Sequence, residues 1–290
     1  MYAEKDDSRI IPEAQASPSN WTAPGGVLGQ IVAESRERVR ALTGARRSEL
    51  EQAAAAAPPP VSFSKALRAG PTIAVIAEVK RRSPSQGEIN AALSASAQAK
   101  AYAAGGAAAI SVLTEPNHFG GSMDDLTEVW KAVAIPLLRK DFVIDRTQLW
   151  EARLAGAAAV LLIVRALEPG RLDALAAEAR ALGLEPLVEV RTESELARAL
   201  AAGAEVVGVN QRDLETLAVE PAVAARLLPL VPGDRVAVSE SGVKTQADVE
   251  RAAACGADAV LVGSALSGSA DPSAAVRALC TVARGGGRGR

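Results

Sequence analysis

The chain has 290 residues, 49% hydrophobic and 23% charged, with a formal net charge of −2. This is the make-up of a globular chain able to bury a sizeable core, and its charge gives no electrostatic case for nucleic acid or an anionic membrane as partner. With one histidine and two cysteines, a multi-histidine metal centre or a Cys/His zinc cluster lacks ligands, so acid–base chemistry falls to Lys, Glu and Asp and no metal or cofactor is expected.

No apolar run reaches the ~20 residues of a membrane span. Residues 1–7 carry three acidic groups and no apolar core, unlike a secretory signal. The expectation is a cytoplasmic protein in which Cys255 and Cys280 are thiols rather than a disulfide.

Residues 1–26 mix Asp, Ser, Pro, Asn and Gly without periodicity, the pattern of a disordered head. From Val27, the positions Leu28, Ile31, Val32, Ser35, Val39 and Leu42 recur at helical spacing, with Gly44 as C-cap. A second helix over 48–57 is stopped by Pro58-Pro59-Pro60, and a short helical turn over 64–68 completes a helical extension spanning 27–70.

After Pro71, eight β-branched runs alternate with Ala- and Leu-rich helical segments: 73–79, 108–113, 136–139, 159–164, 186–190, 206–209, 235–239 and 259–262. Gly105-Gly106-Ala107, Gly156-Ala157, Gly203-Ala204 and Gly256-Ala257 precede every second run, as helix C-caps that lead straight into a buried strand. Eight strand–helix units fit a TIM (β/α)8 barrel over 71–284, followed by a flexible tail over 285–290. An open doubly wound sheet is disfavoured, because no Gly-x-Gly-x-x-Gly turn follows the first strand.

In such a barrel the carboxyl ends of the strands share one mouth. The first run ends in Glu78 and Lys80, two apart and so on one side of the strand, with Ser83 beyond. The third ends Arg139-Lys140-Asp141-Phe142, the fifth in Glu189, and the sixth in Asn210 ahead of Arg212. The seventh ends Glu240-Ser241-Gly242 and the eighth Gly263-Ser264, while the opposite ends carry Gly, Ala and Pro.

Singly, most of these have plain structural readings. Glu78 and Lys80 can be a surface ion pair, Lys140 a solvated lysine, and Asn210 a partner for loop amides. Asp141 can pair with Arg139 or Arg146, and the Ser-Gly and Gly-Ser steps can be ordinary turns. Glu189 is harder to place so, since a carboxylate in a buried run needs a partner. The turns after strands seven and eight also fall where barrels commonly bind phosphate. Together the set points to acid–base catalysis on a phosphorylated small molecule, with a non-catalytic phosphosugar-binding barrel as the alternative.

Six stretches, in order, resemble the signatures of the indole-3-glycerol-phosphate synthase family of tryptophan biosynthesis. They are Ile76-Ala77-Glu78-Val79-Lys80-Arg81-Arg82-Ser83-Pro84-Ser85; Ile110-Ser111-Val112-Leu113-Thr114 with Phe119-Gly120-Gly121-Ser122; Leu138-Arg139-Lys140-Asp141-Phe142; Leu187-Val188-Glu189-Val190; Gly208-Val209-Asn210-Gln211-Arg212-Asp213-Leu214; and Ser239-Glu240-Ser241-Gly242-Val243.

The resemblance implies that the N-terminal helix covers the mouth. It also implies conversion of 1-(2-carboxyphenylamino)-1-deoxyribulose 5-phosphate to indole-3-glycerol phosphate, carbon dioxide and water. Lys140 is then the general acid at the ribulose carbonyl and Glu189 the acid–base group of the dehydration. Lys80 holds the carboxylate or phosphate and shares the donor's role, while Glu78, Asn210 and Glu240 position hydroxyls and tune the lysines. Ser83, Phe142 and Arg212 bind the substrate, and Ser241, Gly242, Gly263 and Ser264 take its phosphate. Other enzymes of the pathway are the implied partners.

Four positions depart from the family pattern: Arg191 where His is expected, Gln211 for Asn or Ser, His118 for an aromatic residue, and Ser264 for a frequent Glu. A sister barrel isomerase, such as phosphoribosylanthranilate isomerase, would need a Cys/Asp pair at strand ends, and neither cysteine stands at one.

Overall fold

A computed structural model describes residues 21–285, so most of the expected head and tail lies outside the described residues. Eight parallel strands close into a barrel: β1 (Ala74–Val79), β2 (Ala109–Leu113), β3 (Leu137–Lys140), β4 (Ala159–Ile163), β5 (Glu185–Val190), β6 (Val206–Asn210), β7 (Val236–Glu240) and β8 (Ala259–Val262). Each pairs with its neighbours in sequence, and β1 closes on β8 with Ala74 opposite Ala259 and Ala77 opposite Val262. This is the expected TIM barrel, with each strand within a residue of its sequence-read limits.

The helix-to-strand glycines have the geometry their position needs. Gly106, Gly156, Gly203 and Gly256 hold φ of +98°, +86°, +75° and +91°, a left-handed turn that a Cβ would strain.

The two-residue period of each strand divides its side chains. Val75, Ala77, Val79, Val160, Leu162, Val188 and Val190 pack outward against the helices. Ile76, Leu138, Leu161, Leu187, Val238 and Leu261 pack inside the barrel. Continuing the inward row one step toward the mouth replaces apolar with polar: Ile76 gives way to Glu78, Leu138 to Lys140, Leu187 to Glu189, and Val238 to Glu240.

Ahead of the barrel lie α1 (Gly26–Arg40), α2 (Gly44–Ala56) and α3 (Phe63–Arg68). Gly44 is not the C-cap of the first helix as expected. The Thr43 hydroxyl accepts the Arg46 N–H at 3.3 Å and caps α2, which therefore starts at Gly44 rather than at 48.

The three helices go to different places. Leu28, Ile31 and Val32 of α1 join the interior cluster, and the Val27 and Leu28 N–H groups donate to the carbonyls of Glu215 and Leu214, beyond the end of β6. α2 packs outside, through Leu50 and Ala54 on Trp150. α3 seals the opposite end: Phe63 and Leu67 enter the interior, and the N–H groups of Phe63 and Ser64 each donate at 2.8 Å to Glu185, at the start of β5.

Ahead of α1, the Trp21 indole donates to the Arg165 carbonyl at 3.3 Å. After β1, Arg82–Ser83 and Gly87–Glu88 form a small antiparallel hairpin that the sequence reading lacked. Among the described residues no helix is long and apolar enough to cross a membrane.

Candidate active site

The polar ends of the inward rows meet. One cavity of about 360 Å³ at the mouth is lined by Glu78, Lys80, Ser83, Lys140, Phe142, Glu189, Asn210, Arg212, Glu240, Ser241, Gly242, Gly263 and Ser264. Every residue the sequence put forward for the site is on its wall.

Lys140 is the hub. Its Nζ lies 3.4 Å from Glu240 and 3.8 Å from Glu189, and Lys80 Nζ lies 3.0 Å from Glu78. Burial opposes charge on Lys140, but Glu240, Glu189 and Glu78 outweigh it and raise its pKa above the usual lysine range, so it is an ammonium at neutral pH. Burial likewise works against the Glu78 carboxylate, and Lys80 and Lys140 overcome it to hold that pKa below the usual range. Glu240 goes the other way. Burial, with repulsion from Glu189 and Glu78, pushes its carboxyl up to about 8 despite Lys140, and among the described residues neither of its oxygens has a hydrogen-bond partner.

The neighbours of Lys140 fix its strand end. Buried Arg139 donates to Asp141 at 3.0 Å, to the Gln148 carbonyl at 2.6 Å and to the Thr114 hydroxyl at 3.2 Å. Asp141 thus pairs with Arg139, whereas Arg146 pairs with Glu178 at 3.4 Å and Glu51 at 3.8 Å. Asn210 does satisfy a loop amide, accepting the Arg212 N–H at 2.9 Å, while it also lines the cavity. The Arg212 guanidinium donates to the Leu217 carbonyl at 2.7 Å, and burial lowers its pKa.

The turn after β7 is held in an uncommon conformation. Ser241 has φ +64° and Gly242 +77°, and the Gln211 amide donates to the Ser241 carbonyl at 2.8 Å. The departure at Gln211 therefore has a structural use. Arg191 has one as well, pairing with Glu220 at 2.6 Å and Asp213 at 3.4 Å.

His118 does not line the cavity. It meets Glu34 of α1 at 3.1 Å and so ties that helix to the loop after β2. Glu34, Glu115 and His118 approach metal-ligand spacing, but both Glu115 oxygens already accept backbone N–H groups, from Asn117, His118 and Phe119.

Several site residues escaped the sequence reading. Val27 and Ile31 of α1 line the cavity with Leu113, Phe119, Leu161 and Ile163. Phe119 stands with its ring centroid 6.1 Å from that of Phe142, so the pair forms an aromatic wall. Lys244 adds a third lysine. Gly208 and Gly263 give room for charge: a Cβ at Gly208 would overlap the Glu240 carboxylate, and one at Gly263 would sit 2.7 Å from Lys80 Nζ and against Glu78. A lone glycine inside an apolar strand is the signal that could have found Gly208.

Known proteins resemble the chain closely. The family model for indole-3-glycerol phosphate synthase matches residues 28–279. The indole-3-glycerol phosphate synthase of Mycobacterium avium is 50% identical over 264 residues, covering 89% of this chain and 95% of the relative. That of Mycolicibacterium smegmatis is 50% identical over 260 residues, covering 88% and 94%. Among solved structures, a thiamine phosphate pyrophosphorylase from Pyrococcus furiosus superposes with TM-score 0.54 at 16% identity, covering 72% of this chain and 93% of that one, a likeness of fold alone. With that match running from α1 to the last helix and a lysine–glutamate cluster at the barrel mouth, the chain belongs to the indole-3-glycerol phosphate synthase family.

Proposed function

We propose that the mouth cavity performs the family's decarboxylating ring closure with Lys140 as general acid. The observation that carries this is an ammonium held among three glutamate side chains, in the cavity that also contains Lys80 and the two turns after β7 and β8. The carboxyphenyl ring of the substrate lies against Phe119 and Phe142, its carboxylate near Ser83 and Arg212, and its phosphate on Ser241, Gly242, Gly263 and Ser264 with Lys80. Held at both ends, the substrate folds so that the ring carbon bearing the carboxylate meets the ribulose carbonyl, and the entropy of that alignment is lost on binding rather than on the way to the transition state.

As that carbon attacks, Lys140 gives its proton to the carbonyl oxygen. Carbon dioxide leaves and the ring regains aromaticity. Glu189 then serves the dehydration that completes the indole, while Glu78, Asn210 and Glu240 orient hydroxyls and tune the lysines. α1 acts as a lid through Val27 and Ile31, in an extension over 27–70 ahead of a barrel over 71–284. The protein works in the cytoplasm beside the enzymes that supply its substrate and consume its product.

One observation favours a second assignment for the dehydration. A carboxyl with its pKa at about 8 carries a proton at neutral pH, and that group is Glu240. Turnover of Glu189→Gln and Glu240→Gln separates the two, since the true donor's amide loses ~100-fold and the other loses far less.

The test of the whole reading is direct. Incubation with 1-(2-carboxyphenylamino)-1-deoxyribulose 5-phosphate yields a product with indole fluorescence. No product, or turnover of phosphoribosylanthranilate instead, overturns it.

A further inference from the structure

Pairing between β1 and β8 stops at Ala77 opposite Val262. Beyond it, the Glu78 carbonyl and the Lys80 N–H project from the same side of β1 with no β8 residue to meet them, although this two-residue step carries the Glu78 and Lys80 side chains into the cavity. The Ser267 hydroxyl takes both, accepting from the Lys80 N–H at 3.2 Å and donating to the Glu78 carbonyl at 2.9 Å. One side chain thus replaces the missing ladder.

Ser267 is fully buried and is itself braced. The Tyr102 hydroxyl stands 3.3 Å from it and donates to the same Glu78 carbonyl at 3.3 Å. Gln98 donates to Tyr102 at 2.9 Å and to the Leu266 carbonyl at 3.2 Å, and Asn90 donates to the Ser267 carbonyl at 3.4 Å. At its other end Ser267 is continuous with the turn after β8, where its N–H donates to the Gly263 carbonyl at 2.9 Å. Gly263 and Ser264 line the cavity.

We propose that Ser267 is a positioning residue, a splint that fixes the Glu78/Lys80 step against the turn assigned to the substrate's phosphate. This rests on the functional reading above and adds to it a residue that touches no substrate. Without the hydroxyl, the Lys80 N–H loses its partner and the end of β1 is free to shift, while the turn after β8 keeps its own backbone bonds. Small displacements of a proton-holding group cost turnover steeply. The loss therefore falls more heavily on turnover than on phosphate affinity, which the turns after β7 and β8 carry alongside Lys80.

Ser267→Ala is expected to lower kcat ~10-fold, the size of one lost buried hydrogen bond, with inhibition by inorganic phosphate, to which Lys80 contributes beside the two turns, weakened by no more than about threefold and a cooperative melting curve retained. A general loss of structure would weaken phosphate inhibition in step with turnover, and that result overturns the proposal, as does turnover within about twofold of wild type. Should Ser267→Ala fail to fold, Ser267→Cys keeps the volume with a weaker donor, and the same split is read on it. Tyr102→Phe leaves both Ser267 bonds in place, and its kcat stays within ~3-fold of wild type; an effect larger than that of Ser267→Ala would move the splint to Tyr102. A wild-type chain without synthase turnover removes the functional reading beneath, whereas an active wild type with an indifferent Ser267→Ala removes this inference alone.

Discussion

Each end of the barrel holds a glutamate, half-buried at the floor and fully buried at the mouth, and the two are treated in opposite ways. At the floor, both Glu185 oxygens are occupied by backbone N–H groups of α3, at 2.8 Å each. At the mouth, neither Glu240 oxygen accepts a hydrogen bond among the described residues, and its near cation is the Lys140 ammonium at 3.4 Å. A saturated carboxylate holds two elements together and has nothing left to offer. An unsaturated one is costly to bury, raises its own pKa, and keeps its capacity for a substrate. The contrast separates residues that build this barrel from residues that use it.

The sharpest way to break the comparison is at Lys140. Lys140→Ala is expected to lower turnover at least ~100-fold, the usual worth of general acid catalysis, with circular dichroism unchanged. A variant that still binds substrate and turns it over like wild type would take Lys140 out of the mechanism. Gly208→Ala comes next. Its new Cβ would occupy the space of the Glu240 carboxylate, so the side chain must leave its place beside Lys140. Turnover is expected to fall ~10-fold, with overpacking costing about 1–3 kcal/mol in urea unfolding. Unaltered activity would mean that Glu240 has freedom to spare.

How much of this was legible beforehand differs between the rows of a strand and the loops. Strand limits and inward rows were legible because a closed barrel forces a period of two on every strand. Glu78, Lys140, Glu189 and Glu240 followed from reading each row to its end. The N-terminal helices were less so. Gly44 suggested a C-cap by residue type, but the Thr43 hydroxyl accepts the Arg46 N–H and makes Gly44 the first residue of α2. Ser267, Thr114 and Gln211 act by bonding groups 189, 25 and 28 to 30 positions away, and no local pattern carries that information. His118 was legible as a departure only; its use became visible when α1 set Glu34 beside it.

A smaller effect is expected in the pH dependence of stability. Below the ordinary glutamate value of 4.5, folded and unfolded chains both hold the Glu240 proton; between there and about 8 only the folded chain does. Each rise in pH across that window therefore favours unfolding, and the stability tied to this proton is spent by the time pH passes about 8. Glu240→Gln cannot titrate. Relative to it, wild type should lose at least about 1 kcal/mol between pH 5 and pH 8, read from urea midpoints at a series of pH values. Parallel curves would show that Lys140 neutralises Glu240 in full.

The floor supplies the control, and the smallest effect on chemistry. Glu185→Gln keeps the size of the side chain but leaves one carbonyl oxygen to accept where two carboxylate oxygens accepted, and it sets an amide against an N–H of Phe63 or Ser64. Loss of a charge-assisted bond of this kind costs about 1–3 kcal/mol, enough to lower the melting temperature by a few degrees. Phe63 and Leu67 remain in the interior cluster on their apolar contacts, so α3 stays docked and the mouth is undisturbed. Turnover per folded molecule should match wild type. If kcat drops along with stability, the floor and the mouth are mechanically one unit, and the division between structural and working carboxylates does not hold.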